Sequence, residues 1–233
     1  MRIGGIILLV AGLMILSTHA WGQKVEVGLL GGTSYYMGDL NPDTHFQRPE
    51  PAFGGFARYN LNPHISGRFS LLYMEVGGSE VKSPYIISDS PTVPFSFQTS
   101  IMEAALVAEV NFLPFEAGNP NTRYSPFIFG GIGGLMFDYI DTDTGVLEPD
   151  DLNILGDPDK PGFSHAYLFG AGFKFYITRY LTGGIEWGMR YTDTDYLDLV
   201  SLKGNPKNND WYSFAGLSLS IRFKDRDRAV CPY

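Results

Sequence analysis

The chain of 233 residues holds one cysteine, Cys231, so no internal disulfide can staple it. Cys231 lies in a polar tail without histidine or a second cysteine, which leaves a metal site without companions. Basic charge is scarce, with 17 Lys and Arg against 25 Asp and Glu for a net charge of −8, which excludes nucleic acid as a partner. Long hydrophobic runs are missing beyond the first 22 residues. Nothing later approaches the 18 or so apolar residues of a spanning helix, so none is predicted. What the chain does have is glycine, at 28 residues, and aromatics at 15%. That composition suits tightly curved β-structure.

The one apolar run sits at the start. Arg2 precedes Ile3 to Leu16, and Ala20 and Gly22 stand three and one positions before Gln23. Charge, apolar stretch and a small-x-small site in that order predict a secretory signal peptide over 1–22. The run is too short for an uncleaved anchor, and no Cys follows it to take a lipid. Losing Arg2 leaves 16 basic against 25 acidic residues, a net −9 for one domain beginning at Gln23.

Alternation with period two dominates that domain. Ala215, Leu217, Leu219, Ile221 and Phe223 face away from Gly216, Ser218, Ser220 and Arg222. Met102, Ala104, Leu106, Ala108 and Val110 oppose Glu103, Glu109 and Asn111 in the same way. The pattern predicts eight strands at 24–38, 51–60, 64–77, 96–112, 124–138, 163–177, 181–192 and 211–223. Most exceed the usual globular length and match the roughly 9–11 residues needed to cross a bilayer at a tilt. Short connections (Leu61–Pro63, Leu113–Arg123, Thr178–Tyr180) alternate with long ones (39–50, 78–95, 139–162, 193–210). Tight periplasmic turns alternating with long external loops are the habit of outer-membrane barrels. The expected fold is therefore all-β: a closed antiparallel up-and-down transmembrane β-barrel over 23–223. Both termini are periplasmic, and a periplasmic tail spans 224–233.

Closing the sheet in lipid turns the apolar face outward. Arg58, Arg68, Glu103, Glu109, Lys174, Glu186, Arg190 and Arg222 are then enclosed, with basic groups in modest excess. Eight strands leave an interior that side chains can fill, so an ion-paired plug is expected rather than an open pore. A lipocalin-like reversal would need the aromatics inside, and a narrow barrel is expected not to hold them. Tyr35, Tyr36, Phe137, Tyr139, Tyr191, Tyr212 and Phe214 are expected as one interfacial girdle. Phe112, Phe115, Tyr176, Tyr180 and Phe223 are expected as the other.

No motif specifies an enzyme, a metal or a cofactor. Asp141-x-Asp143-x-Gly145 begins like a calcium loop within the acidic stretch 138–160, but the remaining spacing and the closing Glu are missing. Ser164 and His165 are adjacent on a strand and so face opposite ways. Gly130-Gly131-x-Gly133-Gly134 lies inside a strand pattern, not before a helix, and suits close packing rather than phosphate.

Several stretches together resemble a family. EVGLLGGTSYYMGDL (Glu26 to Leu40) ends in Tyr36-x-Gly38-Asp39-Leu40, and ARYNLNP (Ala57 to Pro63) is similar to a first periplasmic turn. GIEWGMRYTDTDYLDLVS (Gly184 to Ser201) carries Arg190, Thr194, Asp195, Tyr196, Leu197 and Asp198 of an Arg-x-x-x-Thr-Asp-Tyr-Leu-Asp segment. Leu199 departs from the Asp expected there. The closing DWYSFAGLSLSIRF with its trailing Cys-Pro is also similar. These stretches resemble the PorG-like outer-membrane proteins of the type IX secretion system. The resemblance implies a barrel in outer-membrane lipid that contacts a periplasmic ring-forming lipoprotein and its partner. A lipid-modifying barrel enzyme, and a small pore or surface-binding barrel, are the alternatives.

Overall fold

Period-two alternation becomes eight strands in the computed structural model. They are β1 (Val25–Met37), β2 (Glu50–Asn60), β3 (Ile65–Ser79), β4 (Ser96–Asn111), β5 (Tyr124–Asp143), β6 (Gly162–Tyr176), β7 (Leu181–Thr192) and β8 (Trp211–Arg222). The structure describes residues 25–37, 48–79, 96–117, 119–143, 162–193 and 210–222. The signal peptide, most of the acidic stretch and the tail lie outside the described residues, as do Gly38, Asp39, Leu40, Thr194, Asp195, Tyr196 and Asp198. Each strand pairs antiparallel with its chain neighbours, and β8 returns to β1, so the barrel is closed and up-and-down. Strand limits match the sequence expectation within two residues, except that β5 continues past 138. Its extension carries Asp141 and Asp143 into the ladder opposite Gln98 and Ser96. The backbone is strand as far as Asp143, and Gly145 lies outside the described residues.

Register fixes the tilt. From Leu29, partners in one direction run Gly55, Leu71, Ala104, Gly134 and His165. In the other direction they run Leu219, Gly183 and Phe175. The two paths meet on β6 ten residues apart, at His165 and Phe175. Eight strands with that stagger tilt roughly 40° and enclose a backbone cylinder about 8 Å in radius. Such a bore must be filled by side chains.

It is filled in part by rings, which corrects the expectation that a narrow barrel excludes them. Phe56, Phe127, Phe129, Phe137, Phe214, Tyr36 and Tyr212 are buried inside. Tyr36, Phe137, Tyr212 and Phe214 therefore belong to the lumen and not to a girdle. Glycines beside the rings, on a nearby strand or two residues along the same one, make the room. A Cβ on Gly172 would lie 2.5 Å from Phe127 Cζ and 2.6 Å from the Ile185 carbonyl oxygen. Gly28 bears the same relation to Phe56, Gly188 to Phe129 and Gly216 to Phe214. Because backbone as well as ring blocks the Gly172 site, Gly172→Val should fail to close the barrel. The check is loss of the heat-modifiable fast-migrating band on cold SDS gels, with Gly31→Ala, in open space, retaining it.

Candidate functional site

Positions that alternation turns inward build the lumen in layers. The lower layer centres on Glu109 of β4, which has no exposed surface. Lys174 Nζ donates to its Oε2 at 2.7 Å, Ser66 Oγ to the same oxygen at 3.1 Å, and Arg58 Nη2 to Oε1 at 3.3 Å. Arg58 Nε and Arg68 Nε stand 2.8 and 3.2 Å from the carboxylate without aligned N–H bonds, so these are charge contacts. Arg68 grips Glu186 in a two-pronged pair at 2.5 and 3.2 Å. Glu26 takes Arg58 at 3.4 Å, Asn60 Nδ2 at 2.6 Å and Ser220 Oγ at 2.8 Å. Lys174 Nζ also donates to Asn111 Oδ1 at 2.9 Å. Every charge in this layer is paired, as burial demands.

Rings join this layer to the apolar one. Arg58 and Arg68 lie over Phe56 at 4.8 and 5.7 Å, Arg68 lies 5.4 Å from Phe129, and Lys174 Nζ 4.6 Å from Phe127. Such cation–ring contacts strengthen where water is excluded. Beyond them Leu30, Leu72, Ala105, Val107 and Leu168 continue the core. A second polar group closes the other end. Tyr212 OH donates to Glu103 Oε2 at 2.6 Å, and Arg190 Nε reaches the same oxygen at 3.4 Å. Glu103 Oε1 is buried without a donor. Tyr36 OH donates to Asp210 Oδ1 at 2.6 Å, and Arg190 lies 5.4 Å from Phe214.

The β4–β5 turn folds across the lower mouth. Phe115 and Ala117 are buried there, the Phe115 N–H donates to the Pro63 carbonyl at 2.9 Å, and the Arg222 guanidinium donates to the Ala117 carbonyl. Phe115 is thus a stopper and not a girdle residue. Arg222 belongs to this mouth and not to the ionic layers.

The structure therefore brings Arg58, Arg68, Glu109, Lys174 and Glu186 together and sets Glu103 with Arg190 apart at the other end. The expected basic excess is absent. Among the described residues the four buried cations Arg58, Arg68, Lys174 and Arg190 face five buried acids, Glu26, Glu103, Glu109, Glu186 and Asp210. Glu26 was legible from its parity with Gly28 and Leu30 on β1. Asp210, just before β8, carried no such signal. Ser164 is buried inward, while His165 is exposed on the outer wall against Phe163. No group of three metal-ligating side chains occurs among the described residues.

Outside, the pattern inverts. Val27, Leu29, Phe53, Leu71, Leu106, Ile132, Phe169, Ile185, Leu217 and Leu219 are exposed. Outward residues carry no Asp, Glu, Lys or Arg from Ile65 to Tyr73 on β3, Met102 to Val110 on β4, or Tyr124 to Met136 on β5. This uncharged belt is about 25 Å tall along the axis.

A closed eight-stranded barrel with an apolar wall and an interior filled, among the described residues, by ion-paired and aromatic side chains is the class these features define. The chain belongs to the family described as Domain of unknown function (DUF6089), whose model matches residues 6–233. No curated protein matches it. Among solved structures it is similar to the N-terminal β-barrel domain of Pseudomonas aeruginosa OprF, at 15% identity and TM-score 0.48, covering 86% of this chain and 98% of that one. Neisserial surface protein A is similar at 11% identity and TM-score 0.47, covering 85% and 96%. Pseudomonas aeruginosa OprG is similar at 10% identity and TM-score 0.42, covering 87% and 99%. Values this low leave a membrane assignment to the barrel's own surface.

Removing Glu109 takes a carboxylate from three buried cations at once and leaves Lys174 with none, so Glu109→Ala should cost about 3–5 kcal/mol. Glu26→Ala should cost distinctly less, since Arg58 keeps Glu109. Urea unfolding of the detergent-folded barrel, followed by tryptophan fluorescence, measures both. Equal losses would contradict the central place of Glu109.

Proposed function

We propose that this chain is an outer-membrane barrel that anchors or positions the periplasmic ring components of a type IX-like secretion apparatus, with both termini in the periplasm. The observation that carries the membrane part is the inverted polarity: a belt of uncharged outward residues around a lumen whose charges are all enclosed. Water offers no reason for that arrangement, and hydrocarbon requires it. The signal-peptide pattern over 1–22 supports this location.

An interior filled by side chains leaves the two rims and the wall as the surfaces through which such a protein works. That supports an assembly role over a transport role. The secretion role itself rests on the resemblance of the Tyr36–Leu40, Ala57–Pro63 and Arg190–Asp198 stretches to PorG-like proteins. In the first and third of those stretches the described signature residues, Tyr36 and Arg190, are buried braces at the outer mouth and shape the barrel, whereas Ala57–Pro63 ends in an exposed turn at Leu61 and Asn62. The lipid-modifying alternative is disfavoured because Ser164 and His165 lie on opposite sides of the wall. The pore alternative is disfavoured by the layered filling of the bore.

Two measurements test the reading. Affinity purification of the tagged barrel from its own envelope should recover the ring lipoprotein and its partner, and a deletion strain should lose export. Normal export with no ring recovered would reject the secretion role. Independently, Leu106→Arg places a charge mid-belt and should cost about 2–4 kcal/mol in vesicles. A loss below about 0.5 kcal/mol would reject the bilayer.

A further inference from the structure

Among the described residues the two rims differ in the sign of their charge. Where β1, β3, β5 and β7 end, the rim carries Glu50, Glu75, Asp138 and Asp193, and its Arg48 is taken by Glu50 at 3.0 Å. At the opposite rim, exposed Arg123 and Arg179 stand on neighbouring connections beside the end of β6. Their backbones are fixed. The Arg123 carbonyl accepts the Tyr176 N–H at 2.7 Å, and the turn holding Arg179 is closed by Ile177 and Thr178 N–H groups donating to the Leu181 carbonyl at 3.1 and 3.0 Å. Among the described residues neither guanidinium has a carboxylate partner. The nearby Glu116 side chain accepts instead from Asn119 Nδ2 at 3.0 Å. Each Arg is followed directly by an exposed tyrosine, Tyr124 and Tyr180, and Tyr124 stacks on Phe173 with centroids 5.7 Å apart.

We propose that Arg123 and Arg179, with Tyr124 and Tyr180, bind the phosphodiester headgroup of an anionic phospholipid in the periplasmic leaflet. The inference rests on the outer-membrane reading above. In that setting the tyrosine rings mark the interface, and the guanidiniums sit one step beyond it, at phosphate depth. Guanidinium forks suit phosphate oxygens geometrically as well as electrostatically. The acidic opposite rim repels the same headgroup, so the preference belongs to one leaflet.

Native mass spectrometry of the detergent-folded barrel, titrated separately with phosphatidylglycerol and phosphatidylcholine, tests the site. The wild type should retain phosphatidylglycerol preferentially. Arg123→Gln with Arg179→Gln should weaken it by about tenfold or more, from about fivefold per guanidinium, while Arg48→Gln leaves it unchanged. Inorganic phosphate at millimolar concentration should not compete, because the hydrocarbon tails contribute. Equal phosphatidylglycerol binding by the double variant would overturn the proposal, as would an equal loss in Arg48→Gln. So would a double variant that keeps its lipid but loses periplasmic partners, since the pair would then serve a protein. Failure of the wild type to fold in detergent or vesicles rejects the membrane reading instead, and folding on cold gels distinguishes that failure.

Discussion

Closure at a ten-residue stagger is the constraint on which the rest depends. Eight tilted strands leave a bore too narrow for a water column alongside bulky side chains and too wide to stay empty. Each inward position must therefore pack or pair. The solution is a graded stack. Glycine on one strand admits a phenylalanine from a neighbour, the ring carries a guanidinium or ammonium, and a carboxylate takes the cation. Gly28, Phe56, Arg58 and Glu109 form one such column, and Gly172, Phe127, Lys174 and Glu109 another. Both columns end on the same carboxylate. The ionic and apolar parts of the interior are thus one packed unit, in which a change of volume at a glycine is felt at a charge.

Much of this was legible in the chain because alternation is local. Leu217, Leu219 and Ile221 against Ser218 and Ser220 report the two faces without knowledge of any partner. The sorting of long and short connections then supplies the order of strands. Misplacement came where residue type was weighed above parity. Tyr212 and Phe214 continue the even-numbered inward face of β8, and parity alone puts them inside; as aromatics near a strand end they read as a girdle. Phe115 and Asp210 stand outside the strands, where no period applies, and only the folded mouth gives them their positions. The charge balance was misread for a related reason. Glu26 shares the inward parity of Gly28 and Leu30 and belongs in the count by that rule, while Arg222 follows the inward parity of β8 yet leaves the bore for the Ala117 carbonyl.

The two polar layers have different characters. The lower one is saturated: each carboxylate oxygen of Glu26, Glu109 and Glu186 faces a donor or a cation. The upper one is leaner, with a single guanidinium and a tyrosine shared over one oxygen of Glu103. Net stabilisation from buried ion pairs is small once desolvation is counted, whereas an unmatched member is costly. Such layers therefore act chiefly to specify one packing over its competitors. The long loops emerge at the leaner end, next to Tyr36, Arg190 and Asp210.

The bond from Arg222 to the Ala117 carbonyl joins two distant parts of the chain. β8 is the strand that completes the seam with β1, whereas the β4–β5 turn lies about a hundred residues earlier in the sequence. Their link can exist only once that seam has shut. It serves as a latch: a half-assembled sheet keeps its underside unfastened, and the finished cylinder bolts itself from below.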